Sequence, residues 1–485
     1  MIRFTQYTRL LPAALMSFAL FLTGCTVGPN YKRPAVDVPG SYRGTAPESA
    51  LTDGTKPQPS QTSNPPSSAS IGDEKWWEVF QDKELQNLIR TALQQNYDVR
   101  IAASRVLQAQ AQLGITRADQ LPSLSVGGTV VNEHVAGSGP IPSFGTTYGQ
   151  LSTSAVWNLD FWGRYRRATE AARANLLSSD WARKEVIATL VASVSSSYFQ
   201  LRELDLELEI SQRTLASRKD SLQLTQTREE HGLATMLDVR QAEQLVHTAE
   251  TTVTDLERQI TQQENNLSIL LGNNPGDIPR GLTLTEQPHA PEVPAGIPSA
   301  LLTRRPDIVA AEQNLVAANA QIGVARAAYF PQISLTGSAG LQSSALNSLF
   351  TGPAGFWAVA GSVAQPIFEG GRLKSNVRLA EAQHEQLLLT YQQTIQGAFR
   401  DVSNALIGYR KAREFRIEQQ QLVESAQDAA KLSEIRFRAG TTDYLEVLTN
   451  ETNAFSAELN LAQANGNELL ALVQLYQSLG GGWQQ

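Results

Sequence analysis

The polar and apolar positions of this chain follow two patterns, one typical of β-strands and one typical of long helices. Apolar or small residues alternate with polar residues or glycine across 332–341, and the same alternation occurs across 152–161. Each of these segments predicts a strand with one apolar and one polar face. The segments 123–132 and 356–365 are less regular and are predicted to be their partners. The pattern therefore predicts four strands, arranged as two pairs.

The helical pattern is carried by two unusually long segments. Residues 164–231 contain neither glycine nor proline, and residues 372–439 contain no proline. At about 1.5 Å per residue each would form a helix roughly 100 Å long, several times the usual length in a globular protein. Apolar or small residues recur there in steps of three and four, which predicts a coiled-coil seam. The seam positions are Ile187, Leu190, Val194, Ser197 and Leu201 in the first segment and Leu388, Tyr391, Ile395, Ala398, Val402, Ala405 and Tyr409 in the second.

Each long helix is expected to turn back and form a helical hairpin. Gly232 and Gly440 directly follow the two segments, and glycine suits the left-handed cap at which many helices end. Return helices are predicted at about 236–271 and about 443–479. Each half of the chain is therefore predicted to be a long antiparallel helical hairpin with a β-hairpin at its far end.

The same order of elements occurs twice along the chain. Residues 111–126 align without a gap on residues 320–335, an offset of 209 residues, and in both copies a helical pattern ends at a proline. Downstream the offset becomes 208, as between Gly163 and Gly371. Each copy holds one helix, two strands and two further helices, so the sequence predicts an internally duplicated fold.

Four strands are too few to close a barrel across a membrane. Single-chain membrane barrels begin at about eight strands, and an open sheet edge in lipid leaves backbone groups unpaired at a cost of several kcal/mol each. If the strands cross a membrane, three chains would together supply twelve strands and twelve helical columns, enough to enclose a tube. Strands of soluble β-sandwiches alternate in the same way, so the strand pattern alone does not decide between the two.

The N-terminus has the features of a bacterial lipoprotein. Residues 1–24 combine two arginines with an apolar core, as in a secretory signal peptide. The segment ends Leu22-Thr23-Gly24-Cys25, which resembles the lipobox at which Cys25, the only cysteine of the chain, would be acylated. The alternative is an ordinary signal peptide with an incidental cysteine. Several acyl chains would anchor the protein stably, whereas one chain would hold it only weakly.

Composition argues against several classes of protein. The formal net charge is −7 at pH 7, whereas a nucleic-acid-binding protein would carry a basic patch. One cysteine allows no intramolecular disulfide, and no apolar run after the N-terminus is long enough for a membrane helix. The five histidines lack metal-ligand spacing, and Gly370-Gly371-Arg372 lacks the spacing of a phosphate-binding loop. We therefore expect no enzyme, no metal, no cofactor and no nucleic-acid partner.

Short motifs are spread nearly from end to end of the chain. They are Cys25 through Pro34 with Gly28-Pro29, Trp76-Trp77 with Phe80, Arg305-Pro306-Asp307, Phe330-Pro331, Gly370-Gly371-Arg372, Arg436-Phe437-Arg438-Ala439-Gly440 with Tyr444-Leu445, and Leu475-Tyr476 with Leu479-Gly480-Gly481-Gly482-Trp483. In this order they resemble the TolC-like outer-membrane efflux proteins, specifically the lipidated OprM/NodT branch. The resemblance implies an α+β membrane protein, in which a trimeric 12-stranded β-barrel with four strands per chain continues into a long α-helical periplasmic barrel.

The resemblance also implies a function and partners. The protein would be the passive outer-membrane channel of a tripartite efflux pump and would conduct small molecules from the periplasm to the exterior. It would form a homotrimer and dock to a periplasmic adaptor (membrane-fusion) protein and an inner-membrane transporter, usually of the resistance-nodulation-division (RND) type. The alternative is a lipidated periplasmic coiled-coil spacer without a pore. The sequence does not name the cargo.

The resemblance further implies where the channel closes. In the family the inner hairpin of the second copy closes the periplasmic end, and Leu445 would be the apolar constriction there. One turn further on the family often has an aspartate ring, where this chain has Thr449 with Glu446 and Glu451 nearby. The candidate gate residues are Tyr444, Leu445, Glu446 and Thr449. The candidate adaptor contacts at the two hairpin tips are Gly232, Leu233, Ala234, Gly440, Thr441 and Thr442, and the alternative is that both tips are simple turns.

These interpretations give the following division of the chain. We expect a signal peptide over 1–24, a lipid anchor with an extended strap over 25–72, a first repeat over 73–272, an equatorial linker over 273–296, a second repeat over 297–480 and a C-terminal tail over 481–485.

Overall fold

The computed structural model describes residues 26–43, 70–137, 139–140, 142–288 and 296–484. The predicted signal peptide, Cys25 and parts of the predicted strap and linker lie outside the described residues. The helices and strands are α1 Trp76–Val79, α2 Lys83–Gln95, α3 Tyr97–Ala118, β1 Ser123–Val135, β2 Phe144–Leu159, α4 Arg164–Glu230, α5 Met236–Leu270, α6 Pro298–Arg304, α7 Pro306–Ala327, β3 Gln332–Ser343, β4 Gly355–Ala364, α8 Arg372–Arg438 and α9 Tyr444–Ser478.

The element order repeats as the sequence predicts. The series α3, β1, β2, α4, α5 recurs as α7, β3, β4, α8, α9. The long helices α4 and α8 each contain 67 residues, and the return helices α5 and α9 each contain 35. Among the described residues, no helix combines the length and the apolar character needed to cross a membrane.

The chain folds into two compact units, and each draws on both repeats. The first unit consists of Met1–Ala35, Arg105–Asp180 and Ala310–Gln392, and the second of Val36–Ser104, Trp181–Val309 and Gln393–Gln485.

The first unit contains the four strands, which form one antiparallel sheet in the order β1-β2-β3-β4. In the first hairpin Ser123 pairs with Val156, and in the second Gln332 pairs with Ala364. Gln332 and Ala364 are the residues that the repeat offsets of 209 and 208 assign to Ser123 and Val156. The two hairpins therefore share one register. Strand β2 begins at Phe144, earlier than predicted, because the polar and glycine-rich run before Leu151 hides the alternation.

Beside the sheet, the helices of the first unit pack through small side chains. Ala171 and Ala174 of α4 are buried against Ala317 and Ala320 of α7. Alanine at these crossings lets two helix backbones approach closely.

The N-terminal strap lies on these helices. Gly28 adopts a φ of 102°, and a Cβ there would lie 2.5 Å from the Cα of Gly323 in α7. Further along, Arg33 forms a two-pronged ion pair with the buried Glu312, and the Tyr31 hydroxyl donates to the same carboxylate at 3.2 Å. Residues 28–33 of the predicted strap are therefore held in place by specific contacts.

The second unit contains most of the helical hairpins. The predicted seam of α8 is buried, with Ile395, Ala398 and Val402 at 1% exposure or less. Both hairpin turns have glycine in the left-handed region, Gly232 at φ 73° and Gly440 at φ 70°. The seam and the glycine caps are confirmed.

Candidate channel wall and gate

The two faces of the four-stranded sheet differ in chemistry. Because directly opposed residues share a face, the register places Leu124, Ala155, Gly337 and Val359 in one row across all four strands. That row is entirely apolar. On the opposite face the hydroxyls of Ser125 and Ser154 lie 2.7 Å apart, and those of Ser334 and Ser362 also lie 2.7 Å apart.

This arrangement matches the wall of a channel through lipid. The apolar face remains exposed in the single chain, with Leu124 at 73% exposure. A face of this kind is stable against hydrocarbon, while a hydroxyl-lined face is stable against water. Among the described residues, the outer edges of β1 and β4 have no strand partner.

The tip of the second hairpin is a compact turn. The backbone N–H of Gly440 donates to Phe437 and that of Thr441 to Arg436, a pattern that satisfies the last carbonyls of α8. Below the turn Tyr444 is buried in an apolar cluster that joins the two hairpins. The cluster contains Ala242, Tyr444, Val447 and Leu448, with Leu222, Leu245 and Phe437 packed against it.

Leu445 lies on the other side of the helix. Its side chain is 62% exposed, whereas Tyr444 is 6% exposed. The predicted gate residues therefore lie close together at the start of α9, where Leu445 and Thr449 are exposed, Glu446 is half-buried and Tyr444 belongs to the core. The Thr449 hydroxyl donates to the carbonyl of Leu445 at 2.9 Å.

Glu446 is held by its neighbours. Arg436 contacts its carboxylate at 2.8 Å, and the Thr442 hydroxyl donates to the same group. The negative charge of Glu446 is therefore partly balanced by the positive charge of Arg436.

The tip of the first hairpin exposes more apolar surface. Thr235 and Asp238 form a capping box at the start of α5, which fixes the turn. Leu233 just before it is 70% exposed, and Met236 and Leu237 are exposed as well. Of the predicted contact residues, Gly232 and Gly440 set the turns, whereas Leu233 offers an apolar side chain.

Sequence reasoning did not identify a polar seam along α4. Ser211, Arg218 and Thr225 recur at seven-residue intervals and are all buried. The Arg218 guanidinium lies over the ring of Phe455 in α9 and donates to the carbonyl of Leu245 at 3.0 Å. The seven-residue recurrence of polar side chains on a coiled-coil helix is the signal that could have revealed it.

Charged groups extend this seam towards α9. Arg213 pairs with Glu458, and Glu451 lies with Arg218 at a cavity of about 340 Å³. Burial raises the pKa of Glu451, and Arg218 opposes that rise. Burial also lowers the pKa of Arg218. The contact between the two hairpins near their tips is therefore partly ionic.

Comparisons with known proteins agree with this geometry. The model of the family described as outer membrane efflux protein matches residues 88–273 and 297–481, one match for each repeat. The chain belongs to the outer membrane efflux protein family. The expected family, the outer-membrane location and the role as an efflux channel are confirmed.

Relatives within this outer membrane efflux protein family cover nearly the whole chain. A probable efflux pump outer membrane protein, TtgC of Pseudomonas putida, is 36% identical over 471 residues, 96% of this chain and 94% of the relative. The cation efflux system protein CusC of Escherichia coli K12 is 33% identical over 476 residues, 97% of this chain and 100% of the relative.

Solved structures of such channels have the same fold. The open state of the MtrE outer membrane channel of Neisseria gonorrhoeae is 30% identical and superposes with a TM-score of 0.82, covering 95% of this chain and 99% of that one. The expected fold class, a helical channel with a four-stranded sheet in each chain, is confirmed.

Proposed function

We propose that this chain is one of three identical subunits that together form a passive outer-membrane channel of a tripartite efflux pump. The observation that carries the proposal is the four-stranded sheet, apolar on one face, hydroxyl-lined on the other and unpartnered at both edges among the described residues. Three such sheets give twelve strands, within the range of membrane barrels.

The periplasmic end closes at the tip of the second hairpin. Leu445 is the apolar constriction, because its large apolar side chain is exposed at this turn and is not packed within its own chain. Thr449 lies one turn further on, and Glu446 is paired with Arg436, so this ring carries less free charge than a ring of aspartates.

The hairpin tips are the contacts for a periplasmic adaptor, which links the channel to an inner-membrane transporter of RND type. Leu233 is the strongest candidate because it combines exposure with an apolar side chain. Cys25 carries the lipid anchor and lies outside the described residues. The protein supplies a passage and performs no chemistry on its cargo.

One relative is named as the outer membrane protein of a toluene efflux pump, and another is named as a protein of a cation efflux system. The hydroxyl-lined sheet face of this chain favours neither cargo, so selectivity belongs to the pump.

Bilayer conductance tests the proposal against a pore-free coiled-coil spacer. Purified trimers with Leu445→Ser should give discrete current steps in a planar bilayer. The absence of steps from protein that is trimeric in mild detergent would favour the spacer, and a monomer would overturn the assembly itself.

A further inference from the structure

Four helices meet the ends of the β-strands, and each carries an arginine in the turn next to its strand. Arg117 and Arg326 lie in the last turns of α3 and α7, which lead into β1 and β3. Arg164 and Arg372 are the first residues of α4 and α8, which follow β2 and β4. The repeat offsets of 209 and 208 relate these residues in pairs. We call the four arginines the basic belt, and all of them belong to the first compact unit.

Helix stability does not account for the position of all four arginines. A cation is favourable at the C-terminal end of a helix dipole, where Arg117 and Arg326 lie. It is unfavourable at the N-terminal end, where Arg164 and Arg372 lie. The property that all four share is their level, directly beside the sheet that crosses the membrane. This shared level indicates a ligand outside the helices.

The guanidinium groups of the basic belt can bind a further anion. Arg117 and Arg164 form no ion pair within the part of the chain that the structure describes. Arg326 and Arg372 each pair with a glutamate, and both arginine side chains stay exposed. Exposed ion pairs contribute little stability, so these two arginines can also exchange partners. A guanidinium has five N–H donors, more than one carboxylate uses.

The N-terminal strap marks the level of the membrane surface. The backbone N–H of Val27 donates to the carbonyl of Trp162 at 3.0 Å, in the turn between β2 and α4. In the same turn a Cβ on Gly163 would lie 2.9 Å from the Cγ2 of Thr26. Cys25, the proposed lipid anchor, directly precedes this segment and lies outside the described residues. An acyl anchor attached there places the membrane surface at the level of the basic belt.

The strap also identifies the outer face of the helices. Gly28 packs against Gly323 of α7, and Arg326 lies three residues further along the same helix face. Arg167 of α4 donates to a strap carbonyl at 3.3 Å, and Arg164 lies three residues before it. The repeat places the other two belt arginines on the equivalent faces of α3 and α8. Because a lipid-anchored strap lies outside the channel, the basic belt faces outward as well.

Exposed apolar side chains lie between the basic belt and the sheet. Leu121 follows α3 and is 66% exposed, Tyr329 follows α7 and is 43% exposed, and Phe368 precedes α8 and is 88% exposed. From the sheet towards the helices, the order is therefore an apolar strand face, a large apolar or aromatic side chain, and an arginine. Membrane proteins have this order where hydrocarbon gives way to headgroups, and arginine there extends to the polar layer.

We propose that the basic belt binds the phosphate groups of anionic phospholipids in the periplasmic leaflet of the outer membrane. The inference rests on the proposed trimeric channel, in which three subunits with four belt arginines each place twelve arginines around the barrel. Arginine suits this ligand because its planar donors match two phosphate oxygens at once. The belt adds a charged contact at all four helices to the anchor at the N-terminus.

Lipid titration of the full-length protein tests the proposal. Trimers in an uncharged detergent are titrated with dioleoylphosphatidylglycerol or with dioleoylphosphatidylcholine, and bound lipids are counted by native mass spectrometry. We expect Arg117→Gln with Arg164→Gln to weaken binding of the phosphatidylglycerol about fivefold for each arginine removed, and to leave binding of the phosphatidylcholine unchanged. In the wild type, added salt should reduce the preference for phosphatidylglycerol, because the contact is electrostatic.

Two further variants are the matched controls. Arg105→Gln with Arg173→Gln removes the same charge from exposed positions of α3 and α4 that lie about 13–18 Å further from the sheet, and should keep the wild-type preference. Arg117→Lys with Arg164→Lys keeps the charge at the belt and should retain most of the binding. Equal losses in the two glutamine variants, no loss in the belt variant, or a wild-type preference that salt does not reduce would overturn the proposal.

Channel formation is measured on the same preparations. Trimers that show no preference for phosphatidylglycerol but carry current in a planar bilayer would overturn the basic belt alone. Wild-type protein that forms no trimers would overturn the proposed channel together with the belt.

Discussion

Adjacent residues at the second hairpin tip have opposite environments. Tyr444 is buried in the cluster that joins the hairpins, and Leu445 is exposed. A helix turns by about 100° per residue, so neighbours necessarily face different surroundings. A substitution at Leu445 should therefore change the passage without unfolding the tip.

Leu445→Ser should raise single-channel conductance, because a hydroxyl replaces the apolar group that, in the proposed gate, keeps water out of the constriction. Planar-bilayer recordings measure the change. Leu233→Ser, at the equally exposed tip of the first hairpin, is the control and should leave conductance unchanged. Equal conductance of the Leu445→Ser variant and the wild type would remove Leu445 from the gate.

The ion pair at Glu312 should hold the N-terminal strap in place. Glu312→Gln removes the charge from a two-pronged contact with Arg33, a loss of about 1.5–3 kcal/mol for bonds to charged groups. Trypsin cleavage after the exposed Lys32 should become roughly tenfold faster, since cleavage follows the population of the released strap. Glu385→Gln, at an exposed position of α8, should not change the rate, and an unchanged rate for Glu312→Gln would show that other contacts hold the strap.

Glu203 should make stability depend on pH. Its carboxylate lies against Gly466 of α9, and burial, with repulsion from Glu207, raises its pKa from 4.5 to about 7. The folded protein therefore holds this proton more tightly than the unfolded chain does. The stabilisation is complete below about pH 4.5 and is lost as pH rises through about 7.

Glu203→Gln should remove that loss. Thermal unfolding followed by circular dichroism should show a smaller fall in Tm from about pH 5 to about pH 8 than in the wild type. Glu209→Gln, at an exposed position nearby, should keep the wild-type dependence. An unaltered pH slope in the Glu203→Gln variant would contradict the assignment to Glu203.

At the scale of elements, the sequence predicts long features better than short ones. The ends of α4 and α8 lie within one residue of the predicted limits, because the absence of proline and the glycine caps act locally. The predicted start of β2 is wrong by eight residues, because Gly145, Gly149 and polar residues occupy positions where the alternating pattern would require apolar side chains. The Arg33–Glu312 pair joins residues 279 positions apart, and no local pattern reveals such a contact.

Replacement by alanine should change local stability in opposite directions at Gly440, just after α8, and at Gly408, inside α8. Gly440 has a positive φ, so Gly440→Ala should destabilise the tip by about 1 kcal/mol even though a Cβ meets no atom there. Gly408 lies inside the helix, also with open space around it, and Gly408→Ala should stabilise its turn by about 1 kcal/mol. Hydrogen exchange measured by mass spectrometry should rise near residue 440 and fall near residue 408, and a parallel change at both would contradict this account.

At the scale of the whole molecule, only some of the strand edges of the two repeats are paired within the chain. The two β-hairpins meet inside the chain through β2 and β3, whereas the outer edges of β1 and β4 have no strand partner among the described residues. Duplication gives each chain two inner strand edges, which pair with each other, and two outer strand edges, which do not. The partners of the outer edges have to come from another copy.

The open edges of the sheet also constrain the order of events when the protein reaches its membrane. A contact between two parts of one chain forms at any protein concentration, whereas a contact between separate chains obeys mass action and weakens on dilution. A lone chain that entered hydrocarbon would carry two rows of unpaired peptide groups into it. Subunits must therefore meet before or during insertion, and the yield of channels should depend on the concentration of subunits.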